Sequence, residues 1–134
     1  EKEMPDLVYH LGDCVCDAED LAAAFDALDL TWVCGNCDYA SHAAPSLLRE
    51  VCGTRIFLTH GHLFGVKSGL TRLLLEGQRV DAQLVLFGHT HVPFLEQRGG
   101  IWLMNPGSCS TFSGSYGVVT FKDGGFRCEL KQID

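Results

Sequence analysis

Four short apolar runs in this chain each close on a residue with a metal-binding side chain, and that arrangement constrains the fold more than any other feature. Leu7-Val-Tyr-His-Leu leads into Gly12-Asp13, and Thr31-Trp-Val-Cys leads into Gly35-Asn36. Arg55-Ile-Phe-Leu-Thr leads into His60-Gly61-His62, and Leu84-Val-Leu-Phe into Gly88-His89-Thr90-His91. Apolar runs of this length, rich in β-branched and aromatic residues and bounded by glycine, read as buried strands that end in tight turns. Open α/β sheets present their ligand-binding groups at the C-terminal ends of such strands. Asp13, Asn36, His60, His89 and His91 are then a convergent set of carboxylate, amide and imidazole donors. No thiolate is needed, which suits manganese, iron, nickel or zinc rather than a closed structural zinc site. His89 and His91, two residues apart, have the spacing to serve two different ions about 3.5–4 Å from each other.

Between these runs the pattern alternates. A strand is expected at 7–11, then a helix near 17–29 with Leu21, Ala24, Phe25 and Leu28 at helical spacing and Asp17 as its N-cap. A strand at 31–34, a short helix near 45–50 and a strand at 55–59 follow. Val66, Leu70, Leu73 and Leu74 mark an amphipathic helix over 66–77, with Gly77 as its stop. The remainder is strand-rich, at 84–87, 94–96, 101–104, 116–121 and 126–131, with Asp123-Gly124-Gly125 signalling a hairpin. No repeat or linker divides the sequence, so residues 1–134 are expected to form one α/β domain.

The four motifs, Gly12-Asp13, Gly35-Asn36-Cys37-Asp38, Thr59-His60-Gly61-His62 and Gly88-His89-Thr90-His91, taken in order, resemble the calcineurin-like metallophosphoesterases. The resemblance is to the small phosphodiesterase branch of YfcE and Vps29 type. It extends through Asn105-Pro-Gly-Ser108 and Ser115-Tyr-Gly-Val118, from about Leu7 to Phe121. It implies a four-layer αββα sandwich of two mixed sheets flanked by helices. It also implies two divalent metal ions, manganese first, with nickel, iron or zinc as alternatives. The family opens with a strand ending in Asp-x-His-Gly, and nothing before Leu7 matches it. The expectation is that residues precede Glu1 in the functional protein, or that the chain as it stands is catalytically crippled and holds one metal tightly at most.

By the same resemblance, Asp13 bridges the two cations, and Asn36, His60 and His89 complete one ion's shell. His91 joins Asp13 on the other. His62 is expected to line the pocket, bonding a phosphate oxygen or orienting His60. Cys37 stands where larger relatives carry a leaving-group histidine. A thiol beside cations loses its proton readily and makes a poor acid, so Asp38 is the alternative proton carrier unless it only braces the turn. Asn105-Pro-Gly-Ser108 reads either as a phosphate contact through Ser108 and nearby amides or as a rigid turn alone. His10 alternates with Val8 within a strand and reads as a core histidine, and His42 as an exposed one.

The expected reaction is hydrolysis of a phosphate diester by a metal-bound hydroxide attacking in line, with Asp13, Asn36, Cys37, Asp38 and His60 at its centre. Asn36, His62 and Ser108 are the expected substrate contacts. The alternative is a Vps29-like binding scaffold without catalysis. A formal charge of −7 argues against general affinity for nucleic acid. No run approaches the roughly 18 apolar residues of a membrane span. The expected partner is a small phosphodiester, with homo-oligomerisation left open. Seven cysteines cannot all pair within one chain, and a reducing cytoplasm is the expected compartment. Cys14, Cys16, Cys34 and Cys37 read as small core-filling residues, ahead of a zinc-thiolate cluster or a redox pair.

Overall fold

A computed structural model describes residues 7–11, 30–33, 44–107, 114–122 and 124–132. Among them, β1 (Val8–His10) pairs in parallel with β2 (Leu30–Trp32). Five strands form the central sheet: β3 (Ser46–Val51), β4 (Thr54–Thr59), β5 (Leu84–Leu86), β6 (Phe94–Arg98) and β7 (Ile101–Asn105). Their order is β3-β4-β5-β7-β6, with β4, β5 and β7 mutually parallel and the two edge strands antiparallel to their neighbours. A final hairpin joins β8 (Ser115–Lys122) to β9 (Gly125–Gln132). Its two-residue loop contains Gly124 at φ 79°, the left-handed conformation that such a turn demands.

Alternation along the central strands sends side chains to two separate cores. Phe57, Val85 and Leu103 lie side by side in register and pack beneath helix α1 (Thr71–Arg79) with Leu73, Val66 and Phe87. Ile56, Leu58, Leu84, Leu86 and Met104 point to the opposite face. There they meet Val33 and Leu11 from the first strand pair and Val119, Phe126 and Leu130 from the hairpin. The sheet is thus covered by a helix on one side and by further strands on the other. At about 25 cal/mol per Å² of apolar surface removed from water, burial on both faces makes these strands a substantial contributor to stability. Among the described residues no helix is long and apolar enough to cross a membrane.

Three expectations about local structure are corrected. Residues 45–50 are not a helix; Ser46–Val51 is the edge strand β3. The reason lies just beyond it. Cys52 and Gly53 both adopt positive φ, 50° and 80°, and form the two-residue turn whose twist matches antiparallel strands. With Val51 opposite Thr54, the whole segment zips onto β4. The helix expected from 66 begins only at Thr71, because Gly69 at φ 149° interrupts the path. Gly77 does not stop that helix but lies within it. A β-carbon there would come 2.9 Å from Val85 Cγ2, so glycine is what lets α1 approach the sheet. The helix expected near 17–29 lies outside the described residues.

Candidate metal centre

Because β4, β5 and β7 run in parallel, their C-terminal ends share one edge of the sheet. His60 follows β4, Gly88 and His89 follow β5, and Asn105 ends β7. Leu11, just past β1, reaches the same edge: its carbonyl oxygen lies 2.8 Å from His60 Nδ1. A carbonyl only accepts, so Nδ1 carries the proton and Nε2 is left presenting its lone pair. That Nε2 lies 3.0 Å from His89 Nδ1, the two rings standing 4.9 Å apart and 70° to one another. His60 is only 1% exposed. Both its nitrogens have partners, which avoids the roughly 1–3 kcal/mol that an unpaired buried polar group costs.

The backbone around the pair is built for close approach. Gly88 N–H donates to His60 O at 3.0 Å. A β-carbon on Gly88 would lie 3.3 Å from Leu11 O and 3.8 Å from His60 Nδ1. His89 has φ 71° and His91 φ 62°. Left-handed conformations in non-glycine residues cost on the order of 1–3 kcal/mol each and cluster at functional sites. The Thr90 N–H bonds back to Gly88 O at 2.9 Å, closing a γ-turn about His89. His62 sits beside the pair, its ring 5.3 Å from that of His60 and 6.3 Å from that of His89. Its Nδ1 is buried with no hydrogen-bond partner among the described residues. His91, on the same turn, is exposed.

The pair fits a divalent cation. Neutral imidazoles ligate at about 2.0–2.1 Å, so two of them at right angles on one ion bring their nitrogens to about 3 Å. The carbonyl behind His60 is the partner that a ligating histidine usually has on its other nitrogen. Among the described residues no three His, Cys, Asp or Glu side chains are grouped to hold an ion. Asp13, Asn36, Cys37, Asp38 and Ser108 lie outside the described residues, as do Cys14, Cys16, Cys34 and His42. Asp13 is two positions beyond Leu11, and Asn36 three beyond the buried Val33.

The model of the calcineurin-like phosphoesterase superfamily domain matches residues 1–124. The chain belongs to that family. A probable metallophosphoesterase of Bacillus subtilis, YsnB, is 35% identical over 104 residues, 77% of this chain and 59% of the relative. The phosphodiesterase YfcE of Escherichia coli is 46% identical over 69 residues, 48% of this chain and 34% of that protein. The chain therefore spans little more than half the length of the curated relatives it matches, or less. A predicted phosphoesterase from Streptococcus pneumoniae superposes with a TM-score of 0.78 at 29% identity, covering 97% of this chain and 75% of that one. A Vps29 from Entamoeba histolytica reaches 0.76 at 19% identity, with 96% and 83% covered. At that identity the likeness is one of fold.

In this metallophosphoesterase chain, the parts that Leu11, Thr59 and Asn105 play at the edge were not legible in the sequence, although the Asn105-Pro-Gly-Ser108 turn was expected near it. Leu11 acts through its carbonyl, which no side-chain pattern signals. Thr59 Oγ1 accepts from Gly61 N–H at 3.2 Å and Ser46 Oγ at 2.8 Å, fixing the turn between His60 and His62. Asn105 appeared as part of a turn, yet it is fully buried and bonds across to the Gly88–His91 segment. Its position as the polar end of an otherwise apolar strand was the available signal.

Proposed function

We propose that this metallophosphoesterase hydrolyses a phosphate diester in a reaction that requires two divalent cations, with manganese the first candidate. The observation that carries the proposal is the His60–His89 pair, with His60 fixed in its Nδ1-protonated tautomer by Leu11 O. His60 and His89 would hold one ion with Asp13 and Asn36, and His91 would share the second with Asp13. When bound, the cations supply Lewis-acid polarisation of the phosphoryl oxygens and a nucleophile at neutral pH.

The chain's own groups do the rest. Leu11 O keeps the Nε2 lone pair of His60 directed at the site, so no proton has to leave that atom before a cation binds. The buried Nδ1 of His62, without a hydrogen-bond partner among the described residues, lies beside the pair where a phosphate oxygen could meet it. Asn36, His62 and Ser108 are proposed to orient the phosphate, and Asp38 or Cys37 to handle the leaving group's proton. The diester reading draws on the similarity to YfcE, a phosphodiesterase.

The test is hydrolysis of bis(4-nitrophenyl) phosphate and 4-nitrophenyl phosphate with and without added Mn²⁺. Metal-dependent turnover that favours the diester supports the proposal. A folded, metal-binding protein that cleaves neither ester would favour a binding scaffold instead.

A further inference from the structure

The carboxamide of Asn105 grips the chain on both sides of His89. Its Nδ2 donates to Gly88 O at 3.2 Å and to Thr90 Oγ1 at 2.9 Å, while its Oδ1 accepts from Gly107 N–H at 2.9 Å. Asn105 is 0% exposed and ends β7, whose register with β5 is set by Leu84–Trp102, Val85–Leu103 and Leu86–Met104. The amide is therefore anchored to a rigid strand. The turn it holds is strained: His89 and His91 have φ 71° and 62°, and neither is glycine. A turn of that kind relaxes toward ordinary backbone angles unless its surroundings fix it. Thr90 Oγ1 also accepts from Val92 N–H at 3.2 Å, so the hydroxyl ties the far side of the turn to the same amide.

We propose that Asn105, acting through Thr90, is a positioning residue that holds the strained Gly88–His91 turn so that His89 Nδ1 stays opposite His60 Nε2. The role rests on the metal-dependent reading above. Asn105 does not ligate; its two grips set where His89 and His91 sit. Partners of this kind, one step removed from the ligands, are typically worth about 10–100-fold in metal affinity.

The experiment is equilibrium dialysis of Mn²⁺ against the purified wild type and Thr90→Val, Thr90→Ser and Asn105→Asp. Thermal melts of the metal-free proteins run alongside. Thr90→Val removes the hydroxyl without changing shape, Thr90→Ser keeps it, and Asn105→Asp replaces the donating Nδ2 by an oxygen. Affinity should fall at least about tenfold in Thr90→Val and Asn105→Asp, while Thr90→Ser binds as the wild type does. A merely structural role would lower the melting temperatures and leave the affinity of the folded protein unchanged. Wild-type affinity in Thr90→Val, or an equal loss in Thr90→Ser, overturns the proposal, and Thr90→Val decides alone if Asn105→Asp does not fold. A wild type that binds Mn²⁺ but cleaves no diester sinks the functional reading and leaves this one standing. A wild type that binds no Mn²⁺ overturns both.

Discussion

His60 donates its Nδ1–H to the carbonyl of Leu11 across 49 positions of sequence, at 2.8 Å. One backbone atom thereby fixes the tautomer of a side chain at the end of β4 and ties the strand pair β1–β2 to the edge of the central sheet. The consequences of that contact can be measured.

If His60 and His89 share an ion, removing either imidazole should be severe. His89→Ala and His60→Ala, like Asp13→Asn, should each lower kcat by at least about 10²-fold, since a lost ligand removes the polarising charge and the nucleophile together. Steady-state kinetics in saturating metal would check this. Near-normal turnover in any of the three would reject that residue as a ligand.

Gly88→Ala probes the closeness of the edge. The added β-carbon would stand 3.3 Å from Leu11 O and 3.8 Å from His60 Nδ1, and such overpacking costs typically 1–3 kcal/mol. Because the strain falls on the bond that orients His60, metal affinity should drop together with stability. Gly77→Ala is the contrast. Its β-carbon would meet Val85 Cγ2 at 2.9 Å and Ile101 Cδ1 at 3.6 Å, inside the contact between α1 and the sheet rather than against Leu11 O or His60. Overpacking less the helix-propensity gain of alanine leaves about 1 kcal/mol of destabilisation, a few degrees in Tm, with metal affinity intact. Calorimetric melts and metal titrations on the two variants should separate them.

Replacing the Cys37 thiol should matter little for an activated substrate. A nitrophenolate leaves as a stable anion, so a proton donor contributes less than the usual 10²–10⁴-fold, and Cys37→Ser should stay within about tenfold of wild type. Complete inactivity with metal content unchanged would make the thiol essential.

Cys128 gives stability a pH dependence on the alkaline side. Burial pushes its thiol up to about 11 from an ordinary 9.0. A raised value means that the folded state holds the proton more tightly than the unfolded one. The contribution is complete below the unfolded value and is lost as pH rises from about 9 towards about 11. Denaturant midpoints measured across that window should fall more steeply for the wild type than for Cys128→Val. Parallel slopes would remove Cys128 as the cause.

The strands that deliver His60 and His89 were legible because each is a short apolar run, two-sided in its burial, with a polar terminus. The segment Ser46–Val51 was not, since Leu, Arg and Glu are good helix formers and the deciding feature was the Cys52-Gly53 turn beyond it. Gly77 read as a stop because its close neighbour, Val85, lies on another element. The roles of Leu11 and Asn105 were hidden for the same reason. Their partners are 49, 17 and 15 positions away, and a local pattern carries no information about hydrogen bonds of that span.

The most direct test of a metal-dependent phosphodiesterase is turnover of bis(4-nitrophenyl) phosphate after exhaustive dialysis against a chelator, then after return of Mn²⁺ alone. Activity should vanish on chelation and come back with the added ion, in step with the metal bound per chain. Turnover that survives with no metal detectable by elemental analysis would contradict the account.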